Sequence, residues 1–575
     1  MRTRLLFGVF LFFTSLLFLQ CKKKEVASFA VLEDIPFAKK ITLKKIDADE
    51  DGKNLLIYAT FDKSEVTGEG FGVKEDDDVT TFYHDDGLDG DVAKNDGIFT
   101  AKIKADYDEI NSFIKETKRS KVKSVLSFRN RRVVGNESFR PAGLTTFESG
   151  NEITLTASLP FDEKLRDHSL MIQDKAVIED PTRTLVFKNN QWIGTSNGVW
   201  TFGYLMRQMA NESLTGVKAE EFTLSWLKNW QNDVIINGDN SKARKVGIDA
   251  LINRWPKKPG TTDLDLDKAP FKLTAIVNRV DLKGNKGYGG TLNGLSAGEG
   301  RFVFNVVDAN GNGQSFNVIF EYGYNFKKEQ PLRSYQKKWA SLKDKTFGTP
   351  DYNSTLESLT REFTDANKNP SKPNKNCINQ VRTNEIVLDS PWELREFHLD
   401  ATTHLLKQAS PNREPQGKFN AKVDNPDVRF LVKWVNDHTG KVPSAPFDPK
   451  LVGTSAVNQG GVVWNGISTP TPPEAFITND DDRFDLSINT CSGCHGVESG
   501  SGFTHIDENG TLSPFVKGNG FNQPSTVTDP AGRPAGAPKV RSFNDLDNRA
   551  QILHKFVGLP TPISKLLIDP VISSD

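Results

Sequence analysis

The residues with the most specific chemical pattern in this chain are Cys491, Cys494 and His495, within the string Cys-Ser-Gly-Cys-His. On a helical turn, positions i, i+3 and i+4 share one face, so both thiols and the imidazole would point the same way. Two such thiols can bond to the vinyl groups of a haem while the imidazole binds its iron. The spacing therefore predicts a c-type haem attachment site. A CxxC disulfide followed by an unrelated histidine, and part of a zinc site, are the alternatives.

The sixth ligand of such an iron is less constrained by the sequence. Small cytochromes c usually supply a methionine some tens of residues after the motif, but no methionine follows Met209 here. His505 is the nearest candidate and His554 the second, while Met206 or Met209 would have to fold over from the middle of the chain. Histidine ligation gives a lower reduction potential than methionine ligation. An open sixth position is the other alternative, and it would permit peroxide chemistry beside an acid–base side chain.

Glu385, Glu393 and His398 are the candidate acid–base residues for that alternative. Trp392 and Arg395 lie between them in the sequence. Their spacing of eight and five residues does not place the three side chains on one face. A structural salt-bridge network is therefore the preferred interpretation. The chain has no Gly-x-Ser-x-Gly, phosphate-loop or His-Glu-x-x-His motif, so the common hydrolase and nucleotide chemistries have no support.

The N-terminus predicts export. A short basic start precedes the apolar run Leu5–Leu19, which is too short for a membrane-spanning helix and is followed by Gln20, Cys21 and three lysines. The pattern resembles a bacterial lipoprotein signal, in which residues 1–20 are removed and Cys21 is lipidated. Gln20 stands where the usual motif has a small residue, and such looser versions resemble spirochaetal lipoproteins. The resemblance implies anchoring to the cell envelope, at the inner or the outer membrane; ordinary signal cleavage is the alternative.

Composition excludes some classes of partner. The formal net charge is −1 and the sequence has no long basic stripe. A nucleic-acid-binding protein is therefore not indicated. Hydrophobic residues make up 37% of the chain, which is ample for packed cores in several domains. Apart from Cys21 and the two motif cysteines, only Cys377 remains. The chain is therefore no disulfide scaffold, despite its predicted export.

Residues 30–145 predict an all-β domain, because short β-rich runs alternate with Asp/Gly turns. The runs are Ile41–Ile46, Leu55–Phe61, Val79–Tyr83, Ile98–Ile103 and Val122–Phe128. Between two of them, Asp85-Asp86-Gly87 and Gly90-Asp91 are followed by Asp96-Gly97-Ile98-Phe99-Thr100, which resembles immunoglobulin-like modules of bacterial surface and secreted proteins. The resemblance implies a β-sandwich with no chemistry of its own.

The acidic loop of this domain could hold calcium, since carboxylates are hard oxygen donors. Its aspartates are Asp85, Asp86, Asp89, Asp91 and Asp96. Asp-Gly clusters more commonly make turns through hydrogen bonds from the backbone to the side chain. The turn is therefore the preferred interpretation, and calcium is the alternative.

Residues 150–450 predict an α+β domain with runs of helices and an antiparallel sheet. Helices are predicted near Trp200–Asn211, Ala219–Trp230, Ser241–Trp255, Leu332–Leu342, Tyr352–Phe363 and Val428–His438, and strands over Phe271–Val280, Arg301–Val307 and Ser315–Tyr322. Strings such as Asn-Arg-Val-Asp-Leu at 278–282, Gly-Glu-Gly-Arg-Phe at 298–302 and Pro-Trp-Glu-Leu-Arg-Glu-Phe at 391–397 resemble uncharacterised exported bacterial proteins that also end in a CxxCH segment. That resemblance implies an architecture and no activity.

Residues 480–575 predict a small, mainly α, haem-binding segment after a Gly/Pro/Thr-rich linker, Gly453–Pro473. Its best helix is Phe543–Val557, with Ser542 as the N-cap. The chain is thus predicted to be an exported, lipid-anchored protein with one covalent haem, acting in electron transfer or redox sensing with a redox partner protein. A peroxidase-type haem enzyme is one alternative. A surface binding or adhesion lipoprotein with a CxxC disulfide is the other.

Overall fold

The computed structural model describes residues 37–568, apart from 47–52, 62–65, 67, 77–78, 120–147, 150–151, 157–160, 189–190, 286–291, 293, 444, 459–460, 462, 468–474 and 534–535. The chain is a mixed, β-rich multidomain protein with antiparallel sheets and helices. The predicted signal segment, Cys21 and the run Val122–Phe128 lie outside the described residues. No helix among the described residues is long and apolar enough to cross a membrane.

The first domain is built on a seven-stranded antiparallel sheet in the order β3-β4-β5-β2-β1-β7-β6. Its elements are β1 Lys40–Lys45, β2 Asn54–Thr60, β3 Gly70–Asp76, β4 Val79–His84, β5 Ile98–Lys104, α1 Tyr107–Arg119, β6 Glu148–Ser149 and β7 Glu152–Thr156. Alternate residues of β2, namely Leu55, Ile57 and Ala59, are fully buried, because successive side chains of a strand point to opposite faces. β4 pairs with β5 only at His84 and Thr100. An immunoglobulin-like sandwich stays a prediction.

The middle of the chain forms an eight-stranded antiparallel sheet in the order β18-β17-β16-β15-β14-β13-β8, with β19 on β17. Its strands are β8 Met171–Ile172, β13 Phe271–Arg279, β14 Glu299–Val307, β15 Gly313–Gly323, β16 Ile378–Glu385, β17 Glu393–Leu399, β18 Leu406–Ala409 and β19 Ala456–Val457. Two small hairpins join β9 Leu185–Lys188 to β10 Gln191–Gly194 and β11 Val234–Ile236 to β12 Asp239–Ser241. The helices are α2 Glu163–Ser169, α3 Lys175–Ile178, α4 Phe202–Ala210, α5 Glu212–Thr215, α6 Ala219–Leu227, α7 Lys245–Arg254, α8 Glu329–Ala340, α9 Pro350–Thr364 and α10 Pro426–Asp437.

One face of this large sheet is aromatic and the other is charged. On the aromatic face, the rings of Phe304 and Phe320 pack on Phe202 of α4, which also stacks on Phe271 with a ring-centroid distance of 4.0 Å. Because strand neighbours alternate, the intervening positions face the other way. That second surface, called the charged face below, carries the buried residues Arg279, Glu299, Arg301, Glu321, Arg382 and Glu396. Charges buried at such depth require partners, and here they pair with one another.

The C-terminal segment covers the charged face. Its elements are α11 Asp480–Ile488, α12 Cys491–Gly493, α13 Pro514–Lys517, β20 Ser525–Thr528, β21 Val540–Phe543, α14 Asp545–Gly558 and α15 Thr561–Leu567. The predicted helix at Phe543–Val557 starts two residues later than expected, and its N-cap is Asn544 rather than Ser542. The reason is that Ser542 still pairs with Thr526 in a β-hairpin, so the chain is extended there.

The last helix returns to the first domain. Ile563, Leu566 and Leu567 of α15 are fully buried in the same hydrophobic core as β1 and β2. The main-chain N–H of Ala38 donates to the carbonyl of Leu566 at 2.8 Å, and the hydroxyl of Tyr83 donates to the carbonyl of Pro562 at 3.0 Å. The two ends of the described chain are therefore packed together.

Candidate functional site

The cysteine motif begins a helical turn that local contacts fix in place. The hydroxyl of Thr490 caps α12 by accepting a hydrogen bond from the N–H of Gly493 at 3.0 Å. The same oxygen accepts the indole N–H of Trp464 at 2.9 Å. A Cβ on Gly493 would overlap the carbonyl oxygen of Ser487, so this position of the motif has room only for glycine.

The two motif thiols lie against different groups. Cys491 is 3% exposed and packs with Leu394 and Ala456, whereas Cys494 is 1% exposed and belongs to the main hydrophobic core. Neither forms a disulfide in the structure. Burial holds the pKa of Cys491 well above its usual value, and the nearby Glu414 carboxylate adds to this. The two cysteines are therefore buried side chains that no disulfide joins.

His495 lies between two aromatic side chains from different parts of the fold. Its ring stacks on Trp392 of the β16–β17 hairpin, with a centroid distance of 5.0 Å and an interplanar angle of 18°. The ring of His505 lies on another side of it, at 5.2 Å and 58°. The indole N–H of Trp392 donates to Asn384 Oδ1, which fixes the indole on the charged face.

A tight return of the chain brings His505 to His495. The hydroxyl of Thr504 donates to the carbonyl of Cys494 at 2.9 Å, which ties the residue before His505 to the motif. The N–H of Ser513 then donates to the carbonyl of His505 at 3.0 Å. One side-chain and one main-chain hydrogen bond therefore fix the chain around His505.

The surroundings of both imidazoles favour their uncharged form. Burial lowers the pKa of His495 to about 4, and the charge of Arg382 contributes. Burial also holds the pKa of His505 well below its usual value, and His495 and several arginines add to the effect. Across the described part of the chain, neither ring takes part in a hydrogen bond. A neutral imidazole with a free nitrogen lone pair is the form that binds metal ions.

The donor set fits a covalently held haem. Two thiols at i and i+3 that form no disulfide would be the attachment points, and the imidazole at i+4 and His505 would be the residues that hold the iron. The surroundings combine aromatic rings with charged groups: Phe515 packs edge-on against His505 with a centroid distance of 5.9 Å, and Arg382 acts on His495.

The structure separates the other candidate ligands from this site. The ring of His554 lies against Phe113 of α1, with a centroid distance of 4.6 Å. Met206 and Met209 are fully buried on α4, which packs on the aromatic face of the sheet, whereas His495 stacks on the charged face. Of the four alternatives from the sequence, only His505 is brought to His495.

The candidate acid–base residues form two separate groups. Glu385, Glu393 and Arg395 lie on the aromatic face of the sheet, where Arg395 Nη2 is 2.9 Å from Glu393 Oε2 and Arg244 Nε is 3.0 Å from the same atom. The indole N–H of Trp230 donates to Glu385. His398 lies on the charged face and pairs with Glu396 at 2.6 Å. The first group is a buried salt-bridge network, and His398 is not part of it.

Glu385 gives this network a pH dependence. Burial raises the pKa of Glu385 to about 7, against the opposing charges of Arg395 and Arg244. Because the folded-state pKa exceeds the unfolded value, the stability from this group is full below about pH 4.5 and is lost as the pH rises through about 7. We expect Glu385→Gln to remove this loss, so that the urea midpoint falls less between acidic and mildly alkaline pH than in the wild type. The exposed Glu362→Gln is the matched control and should follow the wild type.

The acidic loop of the first domain makes turns through its own carboxylates. Asp85 accepts the N–H groups of Asp96 and Gly97 at 3.0 and 2.9 Å, and Asp91 accepts the N–H of Gly87 at 2.7 Å. Carboxylate oxygens of Asp85, Asp91 and Asp96 lie within 4.8 Å of one another. These hydrogen bonds agree with the turn interpretation, and calcium binding stays a prediction.

Two charged residues lie next to the motif in the structure, although no sequence pattern connects them to it. The carboxylate of Glu414 is fully buried and accepts the N–H of Ser492 at 3.0 Å, and burial raises its pKa to about 8. Arg382 on β16 lies close enough for its charge to act on both Cys491 and His495. An isolated glutamate or arginine in a sequence cannot be assigned to a site that only long-range packing creates.

Comparison with protein families, with curated proteins and with solved structures found no match to this chain. The site is therefore interpreted from its own residues and their geometry.

Proposed function

We propose that this protein carries one haem attached through Cys491 and Cys494, with His495 and His505 as axial ligands, and that it transfers single electrons at the cell envelope. The observation that supports this most strongly is the pair of buried imidazoles, 5.2 Å apart between ring centroids, beside two buried thiols that form no disulfide. When bound, the haem supplies one-electron exchange, and two histidine ligands favour a low reduction potential.

The residues around the motif have distinct positioning roles in this proposal. Trp392 limits rotation of the His495 ring, and Asn384 holds Trp392 through its indole N–H. Thr504 and Ser513 fix the main chain on either side of His505. Burial of both cysteines keeps water away from the attachment points. These contacts preorganise the ligands, which lessens the rearrangement that accompanies electron exchange.

The setting of this function is also part of the proposal. Export and lipidation of Cys21 would place the protein at the envelope, where c-type haem is attached. The first domain, proposed as an immunoglobulin-like module, would act as a spacer or docking unit for a redox partner protein. One haem carries one electron, so both its donor and its acceptor must be other molecules.

A haem stain on a denaturing gel tests the proposal, with protein made in a host that matures c-type cytochromes. We expect stain in the wild type and none in the Cys491→Ala, Cys494→Ala double variant. Cys377→Ala is the matched control, because Cys377 is also buried but lies outside the motif. This variant should stain like the wild type. An unstained wild type, beside a control cytochrome that stains, would overturn the proposal.

A further inference from the structure

A cavity of about 360 Å³ lies at one edge of the charged face and is not part of the candidate haem site. It is lined by strands β16 and β17 on one side and by residues between 410 and 452 on the other. Its volume falls within the range of small-molecule sites, about 300–1,000 Å³. The cavity is therefore large enough for a small organic ligand.

The lining of the cavity has more basic than acidic side chains, although Arg382 is paired with Glu321 as well as with Glu396. Its lining contains two arginines, Arg382 and Arg413, and one carboxylate, Glu396. Glu396 is already engaged twice: Arg382 Nε lies 2.8 Å from one of its oxygens and His398 Nε2 lies 2.6 Å from the other. This carboxylate is therefore already occupied by basic groups, and Arg413 is the basic side chain of the lining that would face an anion.

Arg413 is the arginine best placed to meet such an anion. Its Nη2 donates to the carbonyl of Val442 at 2.6 Å and its Nη1 to the carbonyl of Pro443, so these partners orient the guanidinium. The guanidinium also lies over the ring of Phe447, 5.7 Å from its centroid. The group is thus held in a fixed position at the cavity wall.

The rest of the wall suits a carbon skeleton. Phe447, Pro411, Pro449 and Val452 form an apolar part of the lining, next to the polar side chains of Ser410 and Asn412. An inorganic anion has no apolar surface to bury against this wall. An organic acid does, and burying that surface adds to its free energy of binding. The basic group would bind the carboxylate of such a molecule, and the apolar wall would bind its carbon skeleton.

We propose that this cavity binds a small organic carboxylate, whose charged group meets Arg413 and whose carbon skeleton packs against Phe447 and its apolar neighbours. The inference goes beyond the proposed haem function and does not depend on it. The site adjoins the cysteine motif, because Arg382 lines the cavity and also acts on His495.

Isothermal titration calorimetry on the full-length protein tests this, with acetate, hexanoate and benzoate as probes. Benzamide, the neutral isostere of benzoate, and inorganic phosphate serve as comparisons. We expect saturable binding of hexanoate or benzoate, and binding of benzamide and phosphate that is at least about tenfold weaker. No binding of any carboxylate, or equal binding of benzamide or of phosphate, would overturn the proposal.

Two variants place the binding in this cavity. Arg413→Gln should weaken binding about tenfold or more, since it removes the fixed charge. Asn412→Trp fills the cavity from an exposed position, so it should abolish binding with little effect on folding. Arg429→Gln removes a surface charge outside the cavity and should bind like the wild type. If circular dichroism shows that Arg413→Gln is misfolded, Asn412→Trp decides, and unchanged binding in that variant would reject the site.

Discussion

Replacing His505 with alanine is expected to leave the proposed haem with an open coordination position and to change it from low-spin to high-spin. The structure gives the reason: among the described residues, His505 is the histidine whose ring contacts that of His495. Without it, a vacant position faces the cavity left by the imidazole. The variant should show high-spin visible and electron paramagnetic resonance spectra, and it should bind cyanide that the wild type binds slowly or not at all.

His554→Ala is the matched control for this variant. His554 is also buried and also lies in the C-terminal segment, but its ring contacts Phe113 of the first domain. Its spectrum should therefore equal that of the wild type. A high-spin spectrum in the wild type itself, with fast cyanide binding, would contradict the assignment of His505 and would favour the peroxidase-type alternative.

Replacing Arg483 with methionine is expected to lower the free energy of unfolding far more than replacing an arginine at the surface. Arg483 is fully buried on α11 and pairs with Glu498, which directly follows the motif turn, and with Asp529 at 2.8 Å. All three side chains are at most 1% exposed. Removing one partner of a buried ion pair typically costs about 3–5 kcal/mol, because it leaves an uncompensated charge away from water. Arg541 still pairs with Asp529 in the variant, but Glu498 loses its arginine.

Urea unfolding followed by tryptophan fluorescence measures this loss. Trp464 is a suitable reporter, since its indole N–H contacts Thr490 at the start of the motif turn. Arg429→Met is the matched control: its pair with Asp424 lies at the surface, where such pairs contribute about 0–1 kcal/mol. Equal midpoints for the Arg483 and Arg429 variants would show that the buried network does not secure the C-terminal segment.

Much of the middle domain could be predicted from sequence periodicity. The expected helix at Trp200–Asn211 is α4, Phe202–Ala210, and the expected strand at Ser315–Tyr322 lies within β15, Gly313–Gly323. Both carry strong local patterns, with apolar residues at helical or alternating spacing. Helix α14 begins two residues after its predicted start. The reason is that Ser542, a residue suited to capping, belongs to a β-hairpin instead.

The candidate site could be predicted only in part. The motif at 491–495 stands out by residue type and spacing alone, and His505 is near it in sequence. The roles of Trp392 and Arg382 depend on strands that lie about a hundred residues earlier in the chain, so local patterns cannot reveal them. Burial of charged residues on the sheet is likewise set by what covers it. The packing of α15 in the first domain also depends on long-range contacts, so local sequence patterns do not predict it.

The most direct test of the central claim is the mass of the tryptic peptide 484–517, from protein made in a host that matures c-type cytochromes. This peptide contains both motif cysteines, His495 and His505, with no internal lysine or arginine. The account predicts a mass increased by one haem, together with haem absorbance in the same chromatographic peak. A peptide with the unmodified mass, or one lighter by the two hydrogens lost in forming a disulfide, would contradict it.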